Sequence, residues 1–132
     1  MANQDFTTGT EQNILDWFFT AGAAPTRPSA WWVGLFSVLP TANAGTGGTE
    51  HTEAGYGRQQ VTLTRTNQTM NPSAAFTFGP ATEDWAQTVG FGFFSAETNG
   101  TLYAFKALTT ARTFYDGDSG TYATSDLAIT LD

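Results

Sequence analysis

No cysteine occurs in the 132-residue chain, which excludes disulfides, thiol nucleophiles and cysteine-ligated metals. There is one histidine, His51, so a multi-histidine metal site within a single chain is excluded too. Basic residues number 5 against 12 acids, for a net charge of −7. Scattered singly, those bases form no electrostatic footprint for nucleic acid and no polybasic segment for an anionic membrane. No apolar run approaches the ~18 residues of a membrane span. Residues 1–5 lack the basic and apolar stretches of a secretory signal, so none is expected there. Charged residues make up only 13% of the chain, about half the usual share.

Threonine and glycine fill the gap, with 24 and 14 copies, alongside 11 Phe, 4 Trp and 4 Tyr. Long solvent-facing helices are built from Glu, Lys and Arg, whereas threonine and aromatics favour strands and glycine favours turns. A length of 132 residues suits one domain, 1–132, able to bury roughly two-thirds of its unfolded surface.

One helix is expected, over 10–22, preceded by an arm, 1–9, that includes Phe6. Thr8 and Glu11 stand three apart, as in a capping box, and Gly22 stands where a C′ glycine belongs. Ile14, Leu15, Trp17, Phe18 and Ala21 share one broad apolar face, and Pro25 and Pro28 stop the helix. From residue 30 the pattern changes to short strands: 31–38, 56–66, 74–78, 89–95, 102–108, 113–115, 121–124 and 127–131. Between them lie a Gly/Thr/Ala loop over 40–55, an Asn99-Gly100 hairpin turn and the Asp116-Gly117-Asp118 turn. Seven or eight closely spaced strands predict an all-β fold, a single antiparallel β-sandwich over 30–132. The helix either packs on this sandwich or reaches outward from it.

Three constellations invite a chemical reading. His51, Asp84 and Ser119 follow the order of a chymotrypsin-like triad, and Gly117-Asp118-Ser119-Gly120 resembles its nucleophile segment. A triad is defined by geometry, and the second barrel of such proteases does not fit in this length, so a polar turn is the better reading. Asp116-x-Asp118-x-Gly120 partly imitates a calcium loop but lacks its third carboxylate ligand and its closing bidentate Glu. Glu83-Asp84 with Asp116 and Asp118 supplies acids for a glycosidase pair, yet nothing in the spacing sets two of them across a cleft. Asn67-Gln68-Thr69 and Asn99-Gly100-Thr101 match the glycosylation sequon, as chance predicts in so threonine-rich a chain. No catalytic, metal or cofactor site emerges, and the expectation is a binding or assembly module. Strand alternation turns one of Trp31 and Trp32 outward as a candidate interface anchor.

The ordered segments carry a resemblance. Trp32-Val33-Gly34-Leu35-Phe36-Ser37 follows the helix, and Glu53-Ala54-Gly55-Tyr56-Gly57-Arg58 comes next. Phe76-Thr77-Phe78-Gly79-Pro80-Ala81, Asp84-Trp85 and Phe91-Gly92-Phe93-Phe94 then precede the closing Leu127-Ala128-Ile129-Thr130-Leu131-Asp132. Taken in order, the set resembles a family of small virion structural proteins of tailed bacteriophages, variously described as capsid decoration or tail-fibre-like proteins. The resemblance implies a structural role, with no enzyme activity and no cofactor. Its leading form is a capsid decoration (cement) protein on the capsid exterior, bound as a homotrimer to the major capsid protein. The alternatives are a tail or tail-fibre-associated protein and, second, a carbohydrate-binding module. The expected contact residues are Phe6, Trp31, Trp32, Tyr56 and Arg58.

Overall fold

Two glycines facing each other across paired strands set the geometry of the central sheet. The computed structural model describes residues 6–41 and 47–130. Its elements in chain order are α1 (Thr8–Phe19), β1 (Trp31–Val38), β2 (Thr49–Glu50), β3 (Gln59–Val61), β4 (Leu63–Thr66), β5 (Thr69–Pro72), β6 (Phe76–Phe78), β7 (Thr88–Phe94), β8 (Leu102–Arg112), β9 (Gly120–Tyr122) and β10 (Ile129–Thr130). Residues 1–5 of the expected arm, 42–46 of the expected loop and 131–132 of the last expected strand lie outside the described residues.

The main sheet runs β2-β1-β7-β8, with β3 also paired to β1, all antiparallel. In the β1–β7 register Gly34 faces Gly92, with Leu35 opposite Phe91 and Val33 opposite Phe93. The alternation splits the strands cleanly. Val33, Leu35, Phe91 and Phe93 are fully buried on the inner face. On the other face the Phe36 and Phe94 rings stack with centroids 5.9 Å apart. They lie over the glycines: a β-carbon at Gly34 would sit 2.8 Å from the Phe94 ring, and one at Gly92 would sit 2.9 Å from the Phe36 ring. Glycine therefore lets the rings lie flat on the sheet, and the rings cover backbone that glycine leaves bare.

Two smaller sheets, β10-β5-β4 and β6-β9, complete the sandwich. They contribute Phe78, Tyr122 and Ile129 to a core shared with Val33, Leu35, Phe91, Phe93, Trp85, Phe114 and Leu127. The all-β sandwich with one N-terminal helix is the fold that the composition predicted.

Several boundaries differ from expectation, each for a local reason. β5 lies in a stretch that contains Pro72 and shows no alternation, yet it pairs with both β4 and β10. Its hairpin turn is Asn67-Gln68, with Asn67 at φ 53, inside the stretch that imitates a sequon. The expected strand over 56–66 divides at Thr62 into β3 and β4, and β8 runs on to Arg112 in place of a separate strand at 113–115. The helix starts at Thr8, not residue 10, because Thr7 is its N-cap, accepting from the Thr10 amide. It ends at Phe19, where the Thr20 amide and hydroxyl both return to the Asp16 carbonyl, so Gly22 is not its C′ glycine.

The covered glycines generate a prediction. A Gly92→Ala substitution should destabilise the fold by about 1–3 kcal/mol through overpacking. The new methyl would lie 2.6 Å from Leu102 and 2.9 Å from the Phe36 ring. Urea unfolding followed by circular dichroism measures the loss, with the folded baseline unchanged.

Candidate interaction surface

The outer edge of β1 is served by two short strands with a gap between them. β3 pairs with residues 31–33 and β2 with 36–38, which leaves the Leu35 backbone without a strand partner on that side. The Tyr56 hydroxyl accepts from the Leu35 amide at 3.0 Å, and the Leu35 carbonyl accepts from the His51 amide. Tyr56 in turn donates to Glu50 at 2.6 Å. Arg58 forms a bidentate pair with the same carboxylate, at 2.8 and 2.7 Å, and donates to the Ala96 and Asn99 carbonyls. Its guanidinium lies 3.5 Å from the Phe94 ring centroid. Burial pushes the Tyr56 phenol far above its ordinary pKa, and the Glu50 charge adds to the shift, so Tyr56 remains a hydrogen-bond donor. Tyr56 and Arg58, expected as contact residues, are thus brought together as an internal clamp. With its side chain 9% exposed and four donors engaged, Arg58 offers little to a partner.

His51 sits behind this clamp, 2% exposed. Its Nδ1 faces the Glu53 carboxylate at 3.0 Å and its Nε2 meets the Thr88 hydroxyl at 2.8 Å. A carboxylate only accepts, so Nδ1 carries the proton. With both ring nitrogens occupied and Asp84 accepting from the Asp116 amide, His51, Asp84 and Ser119 do not form a relay. The Asp116-Gly117-Asp118 stretch is a turn docked on a neighbouring loop. The Gly117 amide donates to Ala81, the Ala81 amide to Asp118, and the Asp118 carboxylate accepts from the Tyr115 amide. Among the described residues no group of three or more His, Asp or Glu side chains is placed to hold a metal ion.

The other expected contact residues divide between the faces of the sandwich. Phe6 pairs with Ala104 of β8 and packs on the core, so the described end of the arm lies against its own domain. Trp31 also packs on the core side, edge-on to Tyr103 at 5.2 Å. Trp32 lies opposite Phe94 on the other face, and both indoles are half-buried.

Among the described residues, the large exposed apolar side chains cluster instead on α1. Thr7 and Thr10 tie its N-terminus to the Tyr103 carbonyl, and from Glu11 to Arg27 every residue is exposed. Ile14 is 36% exposed, Leu15 55%, Trp17 52%, Phe18 68% and Phe19 74%. No residue of the helix is buried. The apolar face was legible in the sequence; its standing away from the sandwich was not.

Comparison with known families bears on what such a surface serves. The model of a family described as Podophage GP4 fiber I protein gp80 matches residues 5–130. The chain belongs to that family. Family membership agrees with the resemblance to bacteriophage virion structural proteins drawn from the ordered segments. No curated protein matches the chain. The family match takes in both the β1-edge clamp and α1.

Two predictions follow from the clamp and its neighbour. Arg58→Ala strands the Glu50 carboxylate, whose side chain is 21% exposed. The expected cost is about 2–4 kcal/mol, somewhat below the ~3–5 kcal/mol for breaking a fully buried pair because Glu50 keeps some water. Arg58→Lys should recover only part of it, since an ammonium cannot form the fork; chemical denaturation of both variants measures this. The second concerns acid. Burial alone would raise the Glu53 pKa, but amide donors from Ala86, Glu53 itself and Thr52, together with His51, outweigh it and hold the group at about 2, below its ordinary 4.5. A depressed folded-state pKa stabilises above the unfolded value and loses that contribution as pH falls. Thermal melts should therefore show stability dropping between about pH 4.5 and 2, by less in Glu53→Gln.

Proposed function

We propose that this protein is a fibre-associated structural subunit of a phage particle, working through surface contacts and without chemistry of its own. The observation that carries the reading is the apolar helix held clear of a well-packed sandwich, in a chain whose family is described as a fibre protein. The buried and half-buried titratable side chains beside β1 support it as well. His51, Glu50 and Glu53 are committed to holding loops against β1 and β7, a building role. A rigid subunit of this kind joins neighbours by burying area. A specific junction needs about 800 Å² per partner, and simultaneous contacts multiply binding through effective concentration. Assembly as a homotrimer belongs to the same reading. A place on the capsid exterior against the major capsid protein draws less support than the fibre, given the family description.

Copy number separates the locations. Quantitative mass spectrometry of purified particles, referenced to the major capsid protein, should find a small multiple of the tail symmetry. Hundreds of copies would place the protein over the head lattice as a decoration protein. Absence from particles would overturn both structural locations.

A further inference from the structure

We infer that α1 is a self-association element, packing its apolar face against α1 of sister copies. The inference rests on the structural-subunit reading and names the partner of its exposed surface: a second copy of this chain.

The first ground is that the helix lacks a reason to be stable alone. Isolated helices shorter than about 12–15 residues are marginal in water, and most helical stability in proteins comes from packing an apolar face. α1 has 12 residues and none is buried. Its N-terminus is tied down through Thr7 and Thr10, while the turns carrying the large side chains extend away from the sandwich. Covering those turns supplies the stabilisation that the fold itself withholds.

The second ground is area. With Ile14, Leu15, Trp17, Phe18 and Phe19 exposed by 36 to 74%, the open apolar surface is roughly 600 Å², taking aromatic side chains at 150–250 Å² each. That is the upper end of what a soluble monomer leaves exposed. Three such faces together come to about 1,800 Å², divided among three contacts that form only together, against the ~1,200 Å² lower bound for a specific interface. Every copy carries the same patch, so self-pairing covers all of them in a closed symmetric assembly.

The shape and charge of the patch favour sister helices over other occupants. At 100° per residue, positions 17, 14, 18, 15 and 19 span an arc of about 200°. A core-facing stripe on a helix covers a little over 100°, so this arc suits two flanking neighbours, as in a bundle of three. Its charged residues are Glu11 and Asp16, with no Lys or Arg. A helix that lies in a lipid interface needs a basic polar face, and this chain carries −7 overall. Asp16 falls on the polar side, opposite the arc, and Glu11 lies in the first turn, at the end tied to the body.

The test uses the full chain in solution. Sedimentation equilibrium between micromolar and several hundred micromolar should show concentration-dependent association, toward the mass of three copies. Leu15→Glu and Phe18→Glu should shift it to monomer, at least a tenfold weakening, with the sheet circular dichroism unchanged because neither side chain is buried. The absence of native cysteine provides a second readout. Under mild oxidation Leu15→Cys should form a covalent dimer, and Asn13→Cys, on the polar side, should not. A wild-type chain that stays monomeric throughout the range overturns the inference. So does an oligomer that both charge variants leave intact, or equal crosslinking at positions 13 and 15. None of these results depends on where the protein sits in the particle, so the α1 interface can fail while the fibre location stands, and the reverse.

Discussion

One carboxylate, Glu50, joins the central strand to the loop that seals its edge. β1 is the strand on which the main sheet is built, and its outer side is only partly covered, by β2 and β3. An uncovered edge in a buried region leaves amides and carbonyls without partners, at a cost of about 1–3 kcal/mol each. The structure meets that cost through side chains. Tyr56 accepts from the Leu35 amide and donates a hydrogen bond to Glu50, and Arg58 neutralises Glu50 while fastening the 96–99 loop. Charge-assisted bonds of this kind are about twice as strong as neutral ones. The segment from 49 to 61 is therefore fastened to β1 by its two short strands at the ends and by side chains and one backbone bond between them.

The consequence is a body with little chemical freedom on the clamp side. The His51 ring nitrogens, the Glu53 carboxylate and the Trp85 indole N–H are all spent on holding loops together. Among the described residues, most of the large exposed apolar side chains lie on α1, tied through one end to β8. Structural rigidity in one place and an uncommitted greasy surface in another is the division of labour expected of an assembly component.

Local chemistry made much of the fold legible. The Trp31–Val38 and Thr88–Phe94 strands showed their β-branched and aromatic composition, and the Asp116-Gly117-Asp118 turn was visible from its residues. β5 was hidden because Thr69–Pro72 has neither alternation nor apolar bulk, and only its two neighbours make it a strand. The Asn67 turn was hidden behind a more familiar pattern, although asparagine at positive φ is an ordinary hairpin device. Of the expected contact residues, Tyr56 and Arg58 are spent inside the fold. Their part in the fold depends on Glu50, a residue that nothing local distinguishes from the other acids.

The amino-acid sequence by itself determined the chemical limits and the fold class. It excluded cysteine chemistry, spelled out a threonine- and glycine-rich β protein, and wrote a broad apolar face onto one helix. These properties follow from residue type and short-range spacing, and no distant contact alters them. The tertiary structure decided which aromatics the core consumes, which carboxylate the arginine meets, and that the helix face points to water. Such outcomes are set by pairings between segments tens of residues apart, where burying one surface decides which other surface is left exposed. An apolar helix reads the same in sequence whether its own domain covers it or not; only the packed sandwich shows that this one is exposed.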